Sequence, residues 1–540
     1  MKSEKKPRIV IKEERCKGCN LCVVFCPKEV FVLSKEANAN GYLCAQVNKT
    51  YRTAPCNNAC PTDEKIQAYI DLINQSATIN NFHKAWELLT ADNPFPAVCG
   101  RVCFHPCEKS CNRGDYDEPI NIHNIERFIG DVGLNESFKL KLPKLNKKFK
   151  IAIIGSGPAG LSCAYHLRRR GYQSTIFESD NKLGGLLTRG IPGYRLPQNI
   201  TQAEIDRIIK SGIKIHLNTH INRDDFDRSL SKFDAVFVAI GAHRERQLNI
   251  NDEKNKSVIS ALRFLYEISR GRNVKLGKKV GIIGGGNAAM DAARSVLRLR
   301  KKPIIIYRRT ENEMPALADD ILEAKEEGIE FIPLTAPKRL IIRDNKIIAL
   351  ECVRMKSGPV DKSGRRMPIP IKGSDFRIQF DTLITAIGEE VNTEFLPDSL
   401  KDKNRIKVLA DGIRTTMKSV FAGGDAVTGP RTVVEALGAG KRAAALIHFY
   451  IKKEKPEQFP VFTSIAFNDL NVDYFEHNSQ IHPEKSAFSS RVKSFTEVYK
   501  GYTTKQFSTE CARCFSCGGC RICLECEMHC PDMAIEVTEK

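Results

Sequence analysis

FKIAIIGSGPAG, residues 149–160, is the stretch on which the fold turns. An apolar run ending in Gly155, Ser156, Gly157, Pro158, Ala159 and Gly160 reads as a buried parallel strand that turns directly into a helix. The first glycine permits the tight turn, the second lets backbone approach a pyrophosphate, and the third lets helix pack on strand. The helix N-terminus adds positive potential. Glu178, near the end of STIFESD, stands where an acid would accept hydrogen bonds from ribose hydroxyls. Strand, glycines and acid together read as a seat for an adenine dinucleotide; without them the glycines would mark only a turn.

The pattern recurs. KVGIIGGGNAAMDAA, residues 279–293, places Gly284, Gly286, Asn287, Ala288 and Ala289 behind a second apolar strand. Its next strand, PIIIYRRT, ends in Arg308 and Arg309 where Glu178 stood in the first unit. Paired guanidiniums suit a 2'-phosphate that an acid would repel, so NADP is favoured over NAD; an ordinary solvated strand end is the other reading. Between the two units, LGGLLTRGIPGYRLP (residues 183–197) brings Gly185 and Leu186 into a loop suited to passing a flat ring system. FDAVFVAIG (233–241) and DTLITAIG (381–388) read as further buried strands. VFAGGDA (420–426), with Gly424 and Asp425, precedes a glycine-punctuated helix, and an acid on such a turn can bond a ribityl chain. This segment is expected to fold back onto the first unit, so that one dinucleotide domain is inserted in the other.

Length and composition agree with several domains. The chain has 540 residues, a formal charge of +20 and 20 cysteines. No nucleic-acid module accompanies the dispersed positive charge, and acidic proteins or phosphate-bearing cofactors are the expected partners. The first residues carry charge without an apolar core, and no run approaches a membrane span, which suggests a cytoplasmic location. In a reducing compartment clustered thiols mean metal.

The thiols fall in three groups. Cys16, Cys19, Cys22 and Cys26, followed by Pro27, have the spacing of the bacterial ferredoxin run, in which three thiolates hold one 4Fe-4S cube and the fourth ligates another. Zinc seldom needs four thiolates so tightly strung. The second group, Cys56, Cys60, Cys99, Cys103, Cys107 and Cys111, lies among predicted helices. Ile66, Tyr69, Ile70 and Ile73, then Phe82, Ala85, Trp86 and Leu89, repeat at helical spacing and are core. Gly100 and Pro106 argue for loops around Cys99 to Cys111. The third group is Cys511, Cys514, Cys517, Cys520, Cys523, Cys526 and Cys530; its last four repeat the ferredoxin spacing. His105, His123 and His529 lie near cysteines but read as packed or solvated.

Residues 52–452, through GSGPAG, GGGNAAMDAARS, YRRTENEMPA and AGGDAVTGPRTVVEALGAGKRAA, resemble the small (beta) subunit of NADPH-dependent glutamate synthase. The same module occurs in dihydropyrimidine dehydrogenase and in the large subunit of the bifurcating NADH-dependent ferredoxin:NADP oxidoreductase. The resemblance implies FAD on Gly155, Gly157, Gly160, Glu178 and Asp425, and a nicotinamide cofactor on Gly284, Gly286, Ala289, Arg308 and Arg309. It implies one helical-domain cluster on Cys60, Cys103 and Cys107, with Glu126 in place of a glutamine, and another on Cys56 and Cys111. The relatives carry an R-C-x-x-C pair just before Cys56, where this chain has Tyr51, Arg52, Thr53 and Ala54. Cys44 or Cys99 is a substitute, or that cluster is absent.

The ends carry a second resemblance. Residues 8–47 and 520–538 look like the two halves of the ferredoxin-like delta subunit of 2-oxoacid:ferredoxin oxidoreductases. Cys16, Cys19, Cys22 and Cys530 would hold one cube and Cys520, Cys523, Cys526 and Cys26 the other, leaving Cys511, Cys514 and Cys517 over.

The expected architecture is thus α/β, with two Rossmann-like dinucleotide-binding domains, the NAD(P) domain inserted in the FAD domain, an α-helical Fe-S domain before them, and ferredoxin-like segments at both termini. The expected boundaries are 1–50 ferredoxin-like, 51–138 helical Fe-S, 149–270 and 389–455 FAD-binding, 271–388 NAD(P)-binding, 456–510 linker and 511–540 ferredoxin-like. The expected activity is hydride exchange between NAD(P)(H) and FAD. Single electrons would then pass through three to five 4Fe-4S clusters to or from catalytic oxidoreductase subunits of the 2-oxoacid or aldehyde type, or ferredoxin. No side chain need act as acid or nucleophile. The rival readings are a glutamate synthase subunit, a bifurcating transhydrogenase subunit and a non-catalytic cluster scaffold. A disulfide reductase would want a Cys-x-x-Cys beside the flavin, whereas Cys163 and Cys352 are solitary.

Overall fold

The computed structural model describes residues 8–13, 15–17, 31–39, 41, 43–47, 53–361, 364–455, 463–470, 472–473, 475–517 and 535–538. Two five-stranded, all-parallel sheets dominate it. In the first the order is Val420–Ala422, Ala235–Val238, Asn146–Ile154, Tyr172–Phe177, Lys214–His216. In the second it is Glu330–Ile332, Lys302–Ile306, Lys279–Ile283, Thr382–Thr385, Val258–Ser260. The central strands of both end in unbroken buried apolar runs, residues 151–154 and 280–283, because helices cover both faces.

The second sheet lies within the sequence of the first, between Ala235–Val238 and Val420–Ala422, as the sequence predicts for an inserted nucleotide domain. The two crossings meet in a short antiparallel ribbon, Arg244–Glu245 against Glu389–Glu390. The chain enters the second sheet earlier than the expected boundary at 270. Val258–Ser260 already pairs with Thr382–Thr385, but a three-residue, half-buried edge strand leaves no apolar run to read. An antiparallel sheet of Thr335–Arg343, Lys346–Val360 and Arg366–Ile378 hangs on this domain.

Ahead of the sheets, the helices Ile66–Gln75 and Ile79–Asp92 bury the residues picked out by periodicity: Ile66, Tyr69, Ile70 and Ile73, then Phe82, Ala85, Trp86 and Leu89. The Cys99 to Cys111 stretch is more helical than expected. Cys99 lies inside the helix Pro96–Val102 and Cys107 inside Pro106–Lys109. Each proline sits at a helix start, where its missing N–H costs nothing. Within the stretch 456–510, expected from sequence to be a linker, Val498, Tyr502 and Phe507 are buried. Phe507 stacks on Phe128 at 4.0 Å between ring centres, so the segment is packed onto the helical domain.

The two ends of the described chain meet. Arg8–Ile11 pairs antiparallel with Ile535–Thr538, and Phe31–Ala37 with Leu43–Val47. Among the described residues no helix is long and apolar enough to cross a membrane.

Candidate functional site: a nucleotide cavity beside two cysteine clusters

A cavity of about 800 Å³ opens at the carboxyl ends of the first sheet, where open α/β sheets bind ligands. Gly155, Gly157, Pro158, Ala159, Glu178, Gly185, Leu186, Gly424 and Asp425 all line it. Gly160, the remaining member of that set, lies beneath: a Cβ there would stand 2.0 Å from the carbonyl oxygen of Gly155. Gly157 is the opposite case, since a Cβ on it would meet no protein atom within 4 Å. The empty space beside Gly157 is what a close-approaching pyrophosphate requires, and with the cavity's size and the buried acid it shows that the residues present fit FAD.

Glu178 is 3% exposed. Its Oε2 accepts from the Ser156 amide at 3.0 Å and the Ser156 hydroxyl at 2.6 Å, and Oε1 from the Asp180 amide at 2.8 Å and from Arg189 at 2.9 Å. Burial pushes this carboxyl up, but the Ser156, Asp180 and Arg189 donors outweigh it and hold it below its usual range. Across the cavity, burial pushes the Asp425 carboxyl up to about 7, against the Arg431 amide that donates to Oδ1 at 3.1 Å. Arg189, His243 and Arg431 also line the cavity and went unremarked in the sequence, where no spacing marks them. Burial brings His243 down to about 4, so its ring is neutral at physiological pH.

In the second unit Gly284, at φ +147°, fits under the Ala386 carbonyl, 2.3 Å from where a Cβ would be; Gly286 caps the helix Asn287–Arg298, where a Cβ would make only an ordinary contact with Pro315 Cγ at 3.9 Å. Ala288 and the buried Ala289 lie in its first turn, and Asn287 accepts from the Leu317 amide at 2.9 Å. The two arginines part company. Arg308 is exposed at the strand end, whereas Arg309 is buried, donating to Asp361 at 2.6 Å and to the Arg366 carbonyl at 2.9 Å. The loop holding Gly185 and Leu186 also bridges the units: Arg195 grips both carboxylate oxygens of Asp291 at 3.0 and 2.9 Å.

The helix Val433–Lys452 ties the cavity to the cysteines. Its capping residue Thr432 and first-turn Val433 line the cavity. Further along, Gly440 lies against the fingerprint helix, 2.3 Å from would-be Cβ to the Ala159 carbonyl, and Gly438 against Pro61, 2.1 Å from the carbonyl. Only glycine allows either approach. Pro61 follows Cys60, which is buried in one core with Cys99, Cys103 and Cys107. Glu126, 5% exposed, accepts from Asn93, which also donates to Glu64 at 3.0 Å and accepts from Cys99 at 3.7 Å. Burial pushes Glu126 and all four thiols well up. The His105 amide, from a left-handed backbone at φ 53°, donates to Cys103 Sγ at 3.4 Å. The rings of His105 and His123 stack at 4.0 Å, and His123 bonds Glu108 at 2.8 Å.

Cys56 and Cys111, packed against the same core, line a small apolar cavity shared with Cys514 and Cys517. Cys99 does not reach it, and the Cys44 side chain lies outside the described residues, as do Cys19, Cys22, Cys26, Cys520, Cys523, Cys526 and Cys530. Cys16 is half-buried beyond the terminal strand pair, and Cys511 is buried next to Cys514.

Two families match the chain: pyridine nucleotide-disulphide oxidoreductase over residues 149–440, and dihydropyrimidine dehydrogenase domain II, 4Fe-4S cluster, over residues 33–138. The NADP(+)-dependent formate dehydrogenase subunit beta of Moorella thermoacetica is 35% identical, over 87% of this chain and 71% of its own. The NADPH-Fe(3+) oxidoreductase subunit beta of Geobacter sulfurreducens is 36% identical over 86% and 75%. The glutamate synthase [NADPH] small chain of Azospirillum brasilense is 31% identical over 77% and 90%.

Proposed function

The chain belongs to the pyridine nucleotide-disulphide oxidoreductase family, and from that premise we propose an NAD(P)H-dependent electron-transfer subunit. It exchanges hydride between a nicotinamide nucleotide and FAD and relays single electrons through 4Fe-4S clusters to or from a partner oxidoreductase or ferredoxin. Bound FAD supplies the conversion between an electron pair and single electrons, which neither neighbour performs alone. The protein's share is to bind, orient and insulate. Gly157 and Gly185 admit the dinucleotide, Glu178 takes the ribose hydroxyls, Asp425 and the start of Val433–Lys452 face the flavin end, and Gly284, Gly286 and Arg308 seat NADP.

The observation that carries this reading is the helix Val433–Lys452, with one end on the nucleotide cavity and its Gly438 pressed on the Pro61 carbonyl beside Cys60. It brings a flavin seat and a thiol cluster onto one rigid element. Disulfide reduction is disfavoured because among the described residues no cysteine lines the cavity. Cys163 is buried in the core.

The partner is proposed to be a catalytic subunit, and the chain's ends favour one other than a glutamate synthase. The formate dehydrogenase and Fe(3+) oxidoreductase relatives align over 87% and 86% of this chain, against 77% for the glutamate synthase relative. The pairing of Arg8–Ile11 with Ile535–Thr538 supports a two-cluster ferredoxin closed from both termini, docking to a 2-oxoacid, aldehyde or formate oxidoreductase. Such a partner would place the complex in the cytoplasm.

Anaerobic absorbance titration of the reconstituted chain with NADPH, and separately with NADH, tests the proposal. Bleaching of both flavin bands and the broad cluster absorbance, at lower NADPH than NADH, is the expected result. Bound flavin that neither nucleotide reduces would leave only a scaffold.

A further inference from the structure

We infer that Cys56, Cys111, Cys514 and Cys517 together hold one 4Fe-4S cluster, so that a Cys-x-x-Cys from the far end of the chain completes a site begun in the helical domain. The inference rests on the iron-sulfur reading above and assigns ligands that reading leaves open.

The four thiols line one small cavity, with Ile66, Ile70 and Asn112 also at its wall. No three of the four sulfurs lie within 4.8 Å of one another, because among the described residues the only group that compact is His105, Glu108 and His123. A tetrahedral zinc site with bonds of about 2.3 Å would draw its sulfurs closer than that. A cube of four irons spaces its thiolates more widely, and four cysteines are its usual complement.

Position supports the same assignment. The stretch just before Cys56, where a Cys-x-x-Cys would complete the site locally, reads Tyr51-Arg52-Thr53-Ala54. Ala54 is 1% exposed and shares one buried cluster with Ile465, Phe515 and Cys517. Ala54 and the distant pair thus line the same cavity.

The local geometry also matches that of the other cysteine group. Ser516, at φ 53°, turns its amide to donate to Cys514 Sγ at 3.4 Å, as His105 at φ 53° donates to Cys103 Sγ at 3.4 Å. In each loop a Phe separates the cysteine from the left-handed residue. An L residue adopts that backbone at a cost; here it delivers an N–H to sulfur, which stabilises a thiolate more than a thiol. The Asn112 side chain donates to Cys517 Sγ at 3.6 Å.

The segment is held in place by buried charge. Arg113, 1% exposed, donates to the Arg513 carbonyl at 2.8 Å, pairs with Asp117, and stands 4.7 Å from the Phe515 ring centre. Arg513 returns to Asp117 at 3.1 Å and to Glu510 at 2.7 Å, while Glu510 accepts from the amides of Asn121 and Ile481, both at 2.8 Å. Truncating such a network leaves charges buried and unpaired, so the Cys-x-x-Cys is fixed against Cys56 and Cys111.

The test uses the full chain, purified anaerobically with FAD and clusters in place. Cys514→Ala with Cys517→Ala, and separately Cys56→Ala with Cys111→Ala, are each expected to cost about four iron and four sulfide per FAD, one cube. All four substitutions together should cost no more, whereas Cys352→Ala should cost none. Full iron in the Cys514/Cys517 pair, or losses that add between the pairs, would overturn the assignment. Should a pair come out without FAD, isotopically enriched selenium in place of the Cys514 sulfur keeps the fold. A reduced-cluster resonance broadened by the selenium nucleus is then expected, and an unbroadened spectrum refutes the proposal. NADPH still bleaches the flavin in these variants if the functional reading is right, so the two can fail separately.

Discussion

The amide and the hydroxyl of Ser156 both donate to one carboxylate oxygen of Glu178, at 3.0 and 2.6 Å. The middle of the glycine fingerprint is thereby pinned to the end of the next strand before any ligand arrives. Hydrogen bonds to a charged group are worth about 1.5–3 kcal/mol each. Glu178→Ala should therefore weaken FAD binding about 100-fold or more, read by flavin fluorescence on dilution, with Glu178→Gln intermediate. The carboxyl sits below its ordinary pKa in the folded chain, so the stability it confers is full above the unfolded value near 4.5 and is lost as pH falls through the folded one. FAD retention that depends on Glu178 should be flat from neutrality to about pH 5 and should fail only in stronger acid.

Gly157 and Gly160 carry the same side chain for opposite reasons. A Cβ on Gly160 would lie 2.0 Å from the Gly155 carbonyl, while one on Gly157 would meet nothing within 4 Å at an ordinary φ of −66°. Overpacking costs about 1–3 kcal/mol or more. Gly160→Ala should thus lower the melting temperature of the flavin-free chain by several degrees. Gly157→Ala should leave that temperature unchanged and abolish FAD retention. Equal melting shifts in the two variants would show that neither glycine serves the ligand.

The dinucleotide units were legible because their requirements are local. Strand, glycine turn and acid fall within one short window, and Gly155, Glu178 and Asp425 converge on one cavity. The crossing at Arg244–Glu245 and Glu389–Glu390 was not legible, since two-residue ribbons have no periodicity. Nor was the burial of Val498, whose amide donates to the Tyr194 carbonyl at 3.0 Å, or of Phe507, stacked on Phe128, since both partners lie hundreds of residues away. The arginine pair was half legible: sequence places Arg308 and Arg309 together, but Asp361, which claims Arg309, lies on a different strand-to-strand connection.

That division predicts separate phenotypes. Arg308 is exposed and available to a 2'-phosphate, whereas Arg309 braces Asp361 and the Arg366 carbonyl. Arg308→Gln should raise the KM for NADPH about 10-fold or more, some 1.4 kcal/mol, with little change for NADH. Arg309→Gln should instead raise both together and lower the melting temperature. Steady-state kinetics with each nucleotide measure the split, and an unchanged NADPH preference in Arg308→Gln would remove this residue from the site.

Asp425 gives the pH dependence of opposite sign. Burial raises its carboxyl to about 7 in the flavin-free chain, from an ordinary value near 3.8, with the Arg431 amide opposing and Glu389 adding to the rise. Because the folded state holds this proton more tightly than the unfolded one, the stability from Asp425 is full below the unfolded value and is lost as pH rises through about 7. The flavin-free chain should therefore melt lower at pH 8 than at pH 6. Asp425→Asn should raise its melting temperature at pH 8 by a few degrees and leave it nearly unchanged in acid, while weakening FAD retention at both. Thermal melts of the two proteins across this range compare like with like, because the other buried acids are common to both. If the variant reproduces the parent's pH slope, Asp425 is not the group that titrates, and its place at the flavin end of the cavity would rest on geometry alone.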